Sequence, residues 1–202
     1  MLESGIVYSF LIDPLLGGLR RLVAVHVKSG ETVIDIACGT GAQLFELANK
    51  TASSTGIDIS ESMVRFAARN ATKRNLTNIT FEVHDATDLS HFYNRKFDVA
   101  ILSMALHQFS PDLHSPILSE IKKIAERLII LDYAVPLPKN YAGMASKIAE
   151  FLAGTEHHRN FKNYVRAGGL NAVLTTNGFT IQKSKLLGGG AFHLVTVHHQ
   201  HE

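Results

Sequence analysis

The sequence is poor in cysteine, in long apolar runs and in charge of one sign. Its single cysteine, Cys38, rules out a disulfide within the chain and fits a reducing compartment. No stretch approaches the roughly 20 apolar residues that a membrane-spanning helix needs, and the N-terminus lacks the pattern of a secretory signal. A net charge of +2 is too small to indicate nucleic-acid binding. We therefore expect a cytoplasmic protein with neither a membrane span nor a nucleic-acid partner.

Length and composition predict one domain. The chain has 202 residues, enough for a sizeable core, and 46% of them are hydrophobic, as in ordinary globular proteins. We expect a single domain over residues 1–202.

The segment from Val33 to Gly41 is the most informative part of the chain. An apolar run that contains Asp35 breaks into Gly39-Thr40-Gly41, and a helix-forming run follows. This pattern predicts a buried strand, a tight turn and a helix N-terminus, where glycine lets the backbone come close to a ligand. Asp58 closes a second apolar run about 20 residues later, the spacing at which an acid can bind ribose hydroxyls. The sequence therefore predicts a nucleotide-cofactor site.

Apolar runs alternate with helical patterns along the chain. Buried strands are predicted over Thr32–Ala37, Ser54–Asp58, Ile79–His84, Phe97–Ser103, Leu128–Tyr133, Phe179–Leu187 and Ala191–His198. Helices are predicted over Ala42–Lys50, Glu61–Asn70, Leu113–Arg127, Tyr141–Leu152 and Phe161–Thr176. Such alternation indicates an α/β fold, a three-layer αβα sandwich with a seven-stranded, mostly parallel sheet. The last two strands have no helix between them, so we expect a C-terminal antiparallel hairpin.

The glycine pattern also indicates which nucleotide is bound. A dinucleotide fingerprint needs a third glycine, and Leu44 stands there instead. An acid separated by three residues from Gly-x-Gly, as Asp35 is from Gly39, resembles the first motif of class I S-adenosylmethionine-dependent methyltransferases, with Ala37 at the family's first glycine. The small-molecule enzymes related to ubiquinone and menaquinone biosynthesis are the most similar group.

The resemblance implies S-adenosyl-L-methionine as cofactor and S-adenosyl-L-homocysteine as product. Asp35 and Gly39 would lie by the methionine end, Asp58 would accept hydrogen bonds from the ribose, and Asp85 would accept one from adenine. Asp85 could equally cap a helix over Thr87–His91. The implied cofactor residues are Asp35, Ala37, Gly39, Gly41, Asp58, Ile59, Asp85, Ala86 and Ser103.

The resemblance also implies an acceptor side made of two helical regions, an N-terminal lid (1–30) and an insertion (136–178). His107 is the candidate catalytic residue, because imidazole can take a proton near neutral pH. The implied substrate-binding residues are Tyr8, His107, His158, Arg159 and Tyr164. Arg159 could equally belong to a solvated helix face. No metal site is expected, because no cysteine or carboxylate cluster accompanies His157-His158.

The expected function is in-line methyl transfer to a small-molecule acceptor. The segment after the fourth strand, Ser103–Phe109, lacks the Asn/Asp-Pro-Pro-aromatic motif of enzymes that methylate amino groups of DNA bases or glutamine. Two alternatives stay open. One is a methyltransferase-like protein that binds the cofactor without catalysis, and the other is an NAD-dependent oxidoreductase, which the missing third glycine disfavours.

Overall fold

The computed structural model describes residues 13–144, 146 and 154–198 of the chain, with side chains from residue 17. Its strands are β1 (Thr32–Ile36), β2 (Ser53–Asp58), β3 (Ile79–Val83), β4 (Phe97–Ser103), β5 (Ala125–Tyr133), β6 (Thr180–Leu187) and β7 (Phe192–His198). Its α-helices are α1 (Asp13–Val25), α2 (Ala42–Leu47), α3 (Glu61–Lys73), α4 (Pro111–Ile124), α5 (Thr155–Arg166) and α6 (Gly169–Thr176). Short 3₁₀ turns span Ser90–Phe92, Leu106–Gln108 and Gly188–Gly190.

The strands form one seven-stranded sheet in the order β3-β2-β1-β4-β5-β7-β6. Strands β1 to β5 pair in parallel, while β7 runs antiparallel to both β5 and β6. The predicted α/β class and C-terminal hairpin are therefore confirmed. Because β1 lies between β2 and β4, the direction of winding reverses between β1 and β4, and ligands of open α/β sheets bind at such a switch point.

Two predicted helices differ from the structure. The helix expected over Leu113–Arg127 ends at Ile124, because residues 125–133 pair with both β4 and β7 and form a central strand. The helix expected over Phe161–Thr176 is two helices, α5 and α6. They separate at Gly168 and Gly169, whose φ angles of +95° and +68° interrupt a right-handed helix. Most of the helix expected over Tyr141–Leu152 lies outside the described residues.

Apolar side chains pack against both faces of the sheet. Ile34, Ala100 and Leu128 face the layer built by α4, α5 and α6, whereas the neighbours Val33, Val99 and Ile129 face α1 and α2. This alternation follows from strand geometry, in which successive side chains point to opposite faces. The three-layer arrangement is the consequence.

Strand β6, at one edge of the sheet, is mostly exposed and carries Lys183 and Lys185. Charged side chains on an edge strand hinder pairing with a second sheet. Within the described ranges, no helix has the length and apolar character to cross a membrane.

Candidate functional site

A cleft of about 360 Å³ opens at the carboxyl ends of β1, β2 and β4. This is the switch point of the sheet, and the volume lies in the range of about 300–1,000 Å³ typical of small-molecule sites. The turn after β1 supplies part of the lining, with further residues from α1, α2, the ends of β2 and β4, the Leu106–Gln108 turn and α5. The cleft is therefore built from segments far apart in sequence.

The glycine turn after β1 uses its two glycines differently. A Cβ on Gly41 would lie 2.5 Å from the Phe81 ring, and its φ is +76°, so only glycine fits there. Gly41 does not line the cleft, which makes it a packing residue of the turn. Gly39 lines the cleft, and a Cβ built on it would meet no atom within 4 Å. Its missing side chain leaves room for a ligand.

Ala37 lines the cleft in the left-handed region, with φ of +56°. A residue with a Cβ costs roughly 1–2 kcal/mol in this conformation, so the turn holds strain that a glycine would relieve. Cys38 beside it is buried, and its burial raises the pKa of the thiol well above the usual value. A protonated, enclosed thiol is a packing group and a poor nucleophile.

Asp58 connects the end of β2 to the glycine turn. Its Oδ2 accepts a hydrogen bond from the Gly39 N–H at 2.8 Å, and its Oδ1 accepts one from the Ser60 N–H at 2.9 Å. A carboxylate has about four acceptor sites, so two remain for a ligand. Asp58 thus holds the turn in place and still presents acceptors to the cleft.

Asp35 is a buried acid that lines the same cleft. Burial and, to a smaller extent, the nearby charge of Asp58 raise its pKa to about 8, while Arg20 opposes both effects. Near neutral pH this carboxyl is therefore largely protonated in the free protein. A positively charged ligand beside it would favour ionisation.

Gln43 adds a buried acceptor to the cleft wall. Its Nε2 donates to the Arg20 carbonyl at 3.3 Å, while its buried Oε1 has no hydrogen-bond partner. An unsatisfied buried oxygen costs about 1–3 kcal/mol. A ligand that donates a hydrogen bond to this oxygen would remove that cost.

Two further predicted residues lie at the cleft. Ile59 is 73% exposed, an unusual state for a large apolar side chain, and it offers a surface for an apolar or aromatic group. Ser103, the last residue of β4, also lines the cleft. Their contact with the cofactor stays a prediction.

Asp85 and Ala86 lie outside the cleft lining. Asp85 Oδ1 accepts hydrogen bonds from both the N–H and the hydroxyl of Thr87 at 2.8 Å. This local turn differs from the expected helix over Thr87–His91, because the 3₁₀ turn begins only at Ser90. The contact of Asp85 with adenine stays a prediction.

His107 and Tyr164, both predicted on the acceptor side, are buried side chains. The His107 side chain is 1% exposed, and its Nδ1 donates to Asp132 Oδ1 at 2.6 Å. Tyr164 is fully buried, and its hydroxyl donates to the Tyr133 carbonyl at 2.8 Å. Both side chains pack in the core in this structure, and their predicted contact with an acceptor stays a prediction.

Two other predicted substrate-binding residues, His158 and Arg159, do not line the cleft. Arg159 is exposed and forms a loose ion pair with Glu156 at 3.8 Å, and His158 is half-buried outside the lining. The neighbouring His157 lines the cleft instead. Tyr8 lies outside the described residues.

Sequence reasoning missed three residues. Arg20 and Gln43 line the cleft, but neither belongs to a recognisable motif, and a contact between α1 and α2 brings them together. Asp132 is embedded in the apolar run of β5, and a lone acid in such a run is the signal that could have identified it.

Comparison with known proteins identifies related sequences and folds. A family model described as "Methyltransferase domain" matches residues 27–169. Aklanonic acid methyltransferase DauC from Streptomyces sp. (strain C5) is 42% identical over 97 residues, 46% of this chain and 43% of that protein. The ubiquinone/menaquinone biosynthesis C-methyltransferase UbiE from Zymomonas mobilis subsp. mobilis is 30% identical over 105 residues, 49% of this chain and 43% of that protein. The chain thus spans less than half the length of these two curated relatives.

Among solved structures, magnesium protoporphyrin IX methyltransferase (ChlM) from Synechocystis PCC 6803 with bound SAH has a similar fold. Its TM-score is 0.63 at 24% identity, over 93% of this chain and 83% of that one.

Proposed function

This chain belongs to the methyltransferase domain family, and we propose that it is an S-adenosylmethionine-dependent enzyme that methylates a small-molecule acceptor. The observation that carries the proposal is the cleft at the switch point, where Asp35, Gly39 and Asp58 line one ligand-sized space. The ChlM structure of the same fold contains S-adenosyl-L-homocysteine (SAH). Two relatives named for small-molecule methylation support the acceptor class.

The polar and apolar groups of the cleft fit this cofactor. When bound, it supplies a methyl group on a positively charged sulfonium. The free acceptor sites of Asp58 would hold the ribose hydroxyls, and the unpartnered Gln43 Oε1 would accept from the methionine amino group. Ile59 would cover the adenine face, and the space beside Gly39 would admit the ligand. Asp35 would balance the positive charge.

The acceptor would enter beside Met104, Phe109 and His157, which line the cleft on the side of β4 and α5. We propose that residues 1–30 and 136–178 enclose this side, since Leu19, Arg20 and His157 already line the cleft. The buried His107–Asp132 pair would act as a positioning group, because it holds the turn that leads to Phe109. The single buried cysteine supports the cytoplasm as the place of action.

An NAD-dependent oxidoreductase is disfavoured by Leu44. This residue stands where a dinucleotide site has its third glycine, and its side chain is fully buried in the core beside β1. The close helix approach that the third glycine allows is therefore blocked.

Ligand binding and methyl transfer together test the function. We expect S-adenosylmethionine and SAH, but not NAD, to raise the melting temperature, because a ligand at a hundredfold excess over its Kd adds about 2.7 kcal/mol of stability. Labelled S-adenosylmethionine should then transfer label to a small-molecule pool that includes aklanonic acid and demethylmenaquinone. Stabilisation by NAD alone would overturn the cofactor assignment. Cofactor binding without transfer to any small molecule would favour the non-catalytic alternative.

The buried carboxyl of Asp35 makes cofactor binding depend on pH. Its folded-state pKa of about 8 lies above the unfolded value of 3.8. The folded state therefore keeps a proton that the unfolded state loses, so Asp35 lowers stability as pH rises from about 4 and has no further effect above about 8. A cationic ligand favours the ionised form. The sulfur of SAH is uncharged, so SAH lacks this effect. We therefore expect the ratio of the affinity for S-adenosylmethionine to the affinity for SAH to increase between pH 6 and 8, by up to about tenfold per pH unit.

Titration calorimetry at several pH values measures this ratio, and Asp35→Asn is the matched control because it keeps the size but cannot ionise. The control should flatten the pH dependence of the ratio. If the affinity ratio changes equally with pH in the original protein and in Asp35→Asn, the charge-balancing role of Asp35 is contradicted.

A further inference from the structure

Outside the cleft, three metal-ligating side chains converge at the carboxyl end of β3. Their potential ligand atoms, one each from Glu82, His84 and His91, all lie within 4.8 Å of one another. Glu82 and His84 are two residues apart at the end of the strand, so they project from the same face. His91 reaches them from the 3₁₀ turn Ser90–Phe92. From this convergence we propose that Glu82, His84 and His91 bind a divalent transition metal ion of the zinc class.

Two of the three ligand separations are close to those of tetrahedral coordination. Glu82 Oε2 lies 3.4 Å from His84 Nε2 and 3.6 Å from His91 Nε2. Ligands that surround zinc tetrahedrally at about 2.0–2.1 Å lie about 3.3–3.4 Å apart. The two separations therefore need to shorten by only a few tenths of an ångström. The exposed His91 side chain can make that adjustment.

The ligand types select the ion. Two imidazole nitrogens and one carboxylate suit zinc, cobalt, nickel or copper, whereas calcium and magnesium prefer oxygen ligands throughout. Three protein ligands leave a fourth position for water. The Asp88 carboxylate interacts electrostatically with His84 and adds negative charge beside the site.

The ligands are held over the core. The two histidine rings stack at 5.0 Å, and each packs edge-on against the buried Phe92 ring, at 5.1 Å for His84 and 5.0 Å for His91. The His84 N–H also donates to the Asp58 carbonyl at 3.2 Å, which ties this residue to the end of β2. A site supported in this way loses little conformational freedom when it binds an ion.

A bound ion would also constrain the loop between two of its ligands. Residues 85–90 join His84 to His91, so a bound ion would close a short loop that carries Asp85 and Ala86. Closing this loop would order the segment that lies next to the end of β2. No metal site was expected from His157-His158, and the fold instead brings together three residues that no sequence motif joins.

Zinc titration of the purified protein tests the proposal. The chain has eleven histidines, so the background protein carries His199→Ala and His201→Ala, which removes two histidines that could chelate zinc near the C-terminus. We expect this background to bind one Zn²⁺ per chain by calorimetry. His91→Ala and Glu82→Gln should each weaken binding by at least about tenfold. His157→Ala, which removes an exposed histidine outside the cluster, should leave zinc affinity within twofold.

Cobalt substitution gives an independent measurement. Co²⁺ at the site should produce the intense visible absorption of tetrahedral coordination, and His91→Ala should abolish it while circular dichroism stays unchanged. Absence of saturable zinc binding in the background protein would overturn the proposal. Zinc binding of equal strength in His91→Ala and Glu82→Gln would overturn it as well, because the ion would then lie elsewhere.

Discussion

Replacing Asp132 with alanine is expected to lower the free energy of unfolding by about 3–5 kcal/mol. Asp132 is fully buried, and its carboxylate accepts hydrogen bonds from His107 Nδ1 at 2.6 Å, the His107 N–H at 3.2 Å and the Tyr133 N–H at 2.7 Å. Removing the carboxylate leaves these donors buried without their acceptor. Urea denaturation followed by circular dichroism measures the loss.

The control for this substitution is Glu156→Ala, which removes an exposed acid and should change stability by no more than about 0.5 kcal/mol. A double-mutant cycle with His107→Ala isolates the pair itself, and we expect a coupling energy of at least about 1 kcal/mol. A loss below about 1 kcal/mol for Asp132→Ala would contradict the structural role of the pair.

Replacing Asp58 with alanine is expected to weaken S-adenosylmethionine binding by at least about a hundredfold. Two hydrogen bonds from ribose hydroxyls to a carboxylate are worth about 1.5–3 kcal/mol each. The substitution also frees the N–H groups of Gly39 and Ser60, which loosens the turn that lines the cleft. Calorimetry with the cofactor measures the affinity.

Asp98→Ala is the matched control for this loss. Asp98 Oδ2 accepts hydrogen bonds from the Thr32 N–H and hydroxyl at 2.7 and 2.8 Å, but it lies at the opposite end of the sheet, near the start of β4. The Asp98→Ala substitution should lower the free energy of unfolding without changing cofactor affinity by more than about twofold. Equal affinities of Asp58→Ala and the original protein would show that Asp58 does not bind the ribose.

The sequence predicted the parts of the molecule that depend on local pattern. Strand β4 was predicted with its observed bounds, Phe97–Ser103, because its apolar run Val99–Leu102 has the length and composition of a buried strand. The turn at Gly39 and the position of Asp58 beside it followed from glycine chemistry and from the spacing between the two residues. These features need no information about distant segments.

The features that sequence reasoning missed depend on tertiary contacts. His107 was a candidate catalytic residue because imidazole can take a proton near neutral pH, yet its partner Asp132 lies 25 positions later on β5 and holds it in the core. The residue that lines the cleft on α5 is His157 and not His158, and helix rotation decides between such neighbours. The cluster at Glu82 forms only when the 3₁₀ turn folds back over β3.

The position of β7 has a consequence for how the chain is made. This strand is synthesised after β6, yet it lies between β5 and β6 and buries Val195 and Val197. While the ribosome is still adding β7, the edge of β5 that later pairs with β7 is unpaired, and β6 has no neighbouring strand. Unpaired strand edges favour association between chains. The cleft residues, all encoded before β6, leave the ribosome first, so the nascent protein passes through a period with its cleft segments complete and its sheet still open.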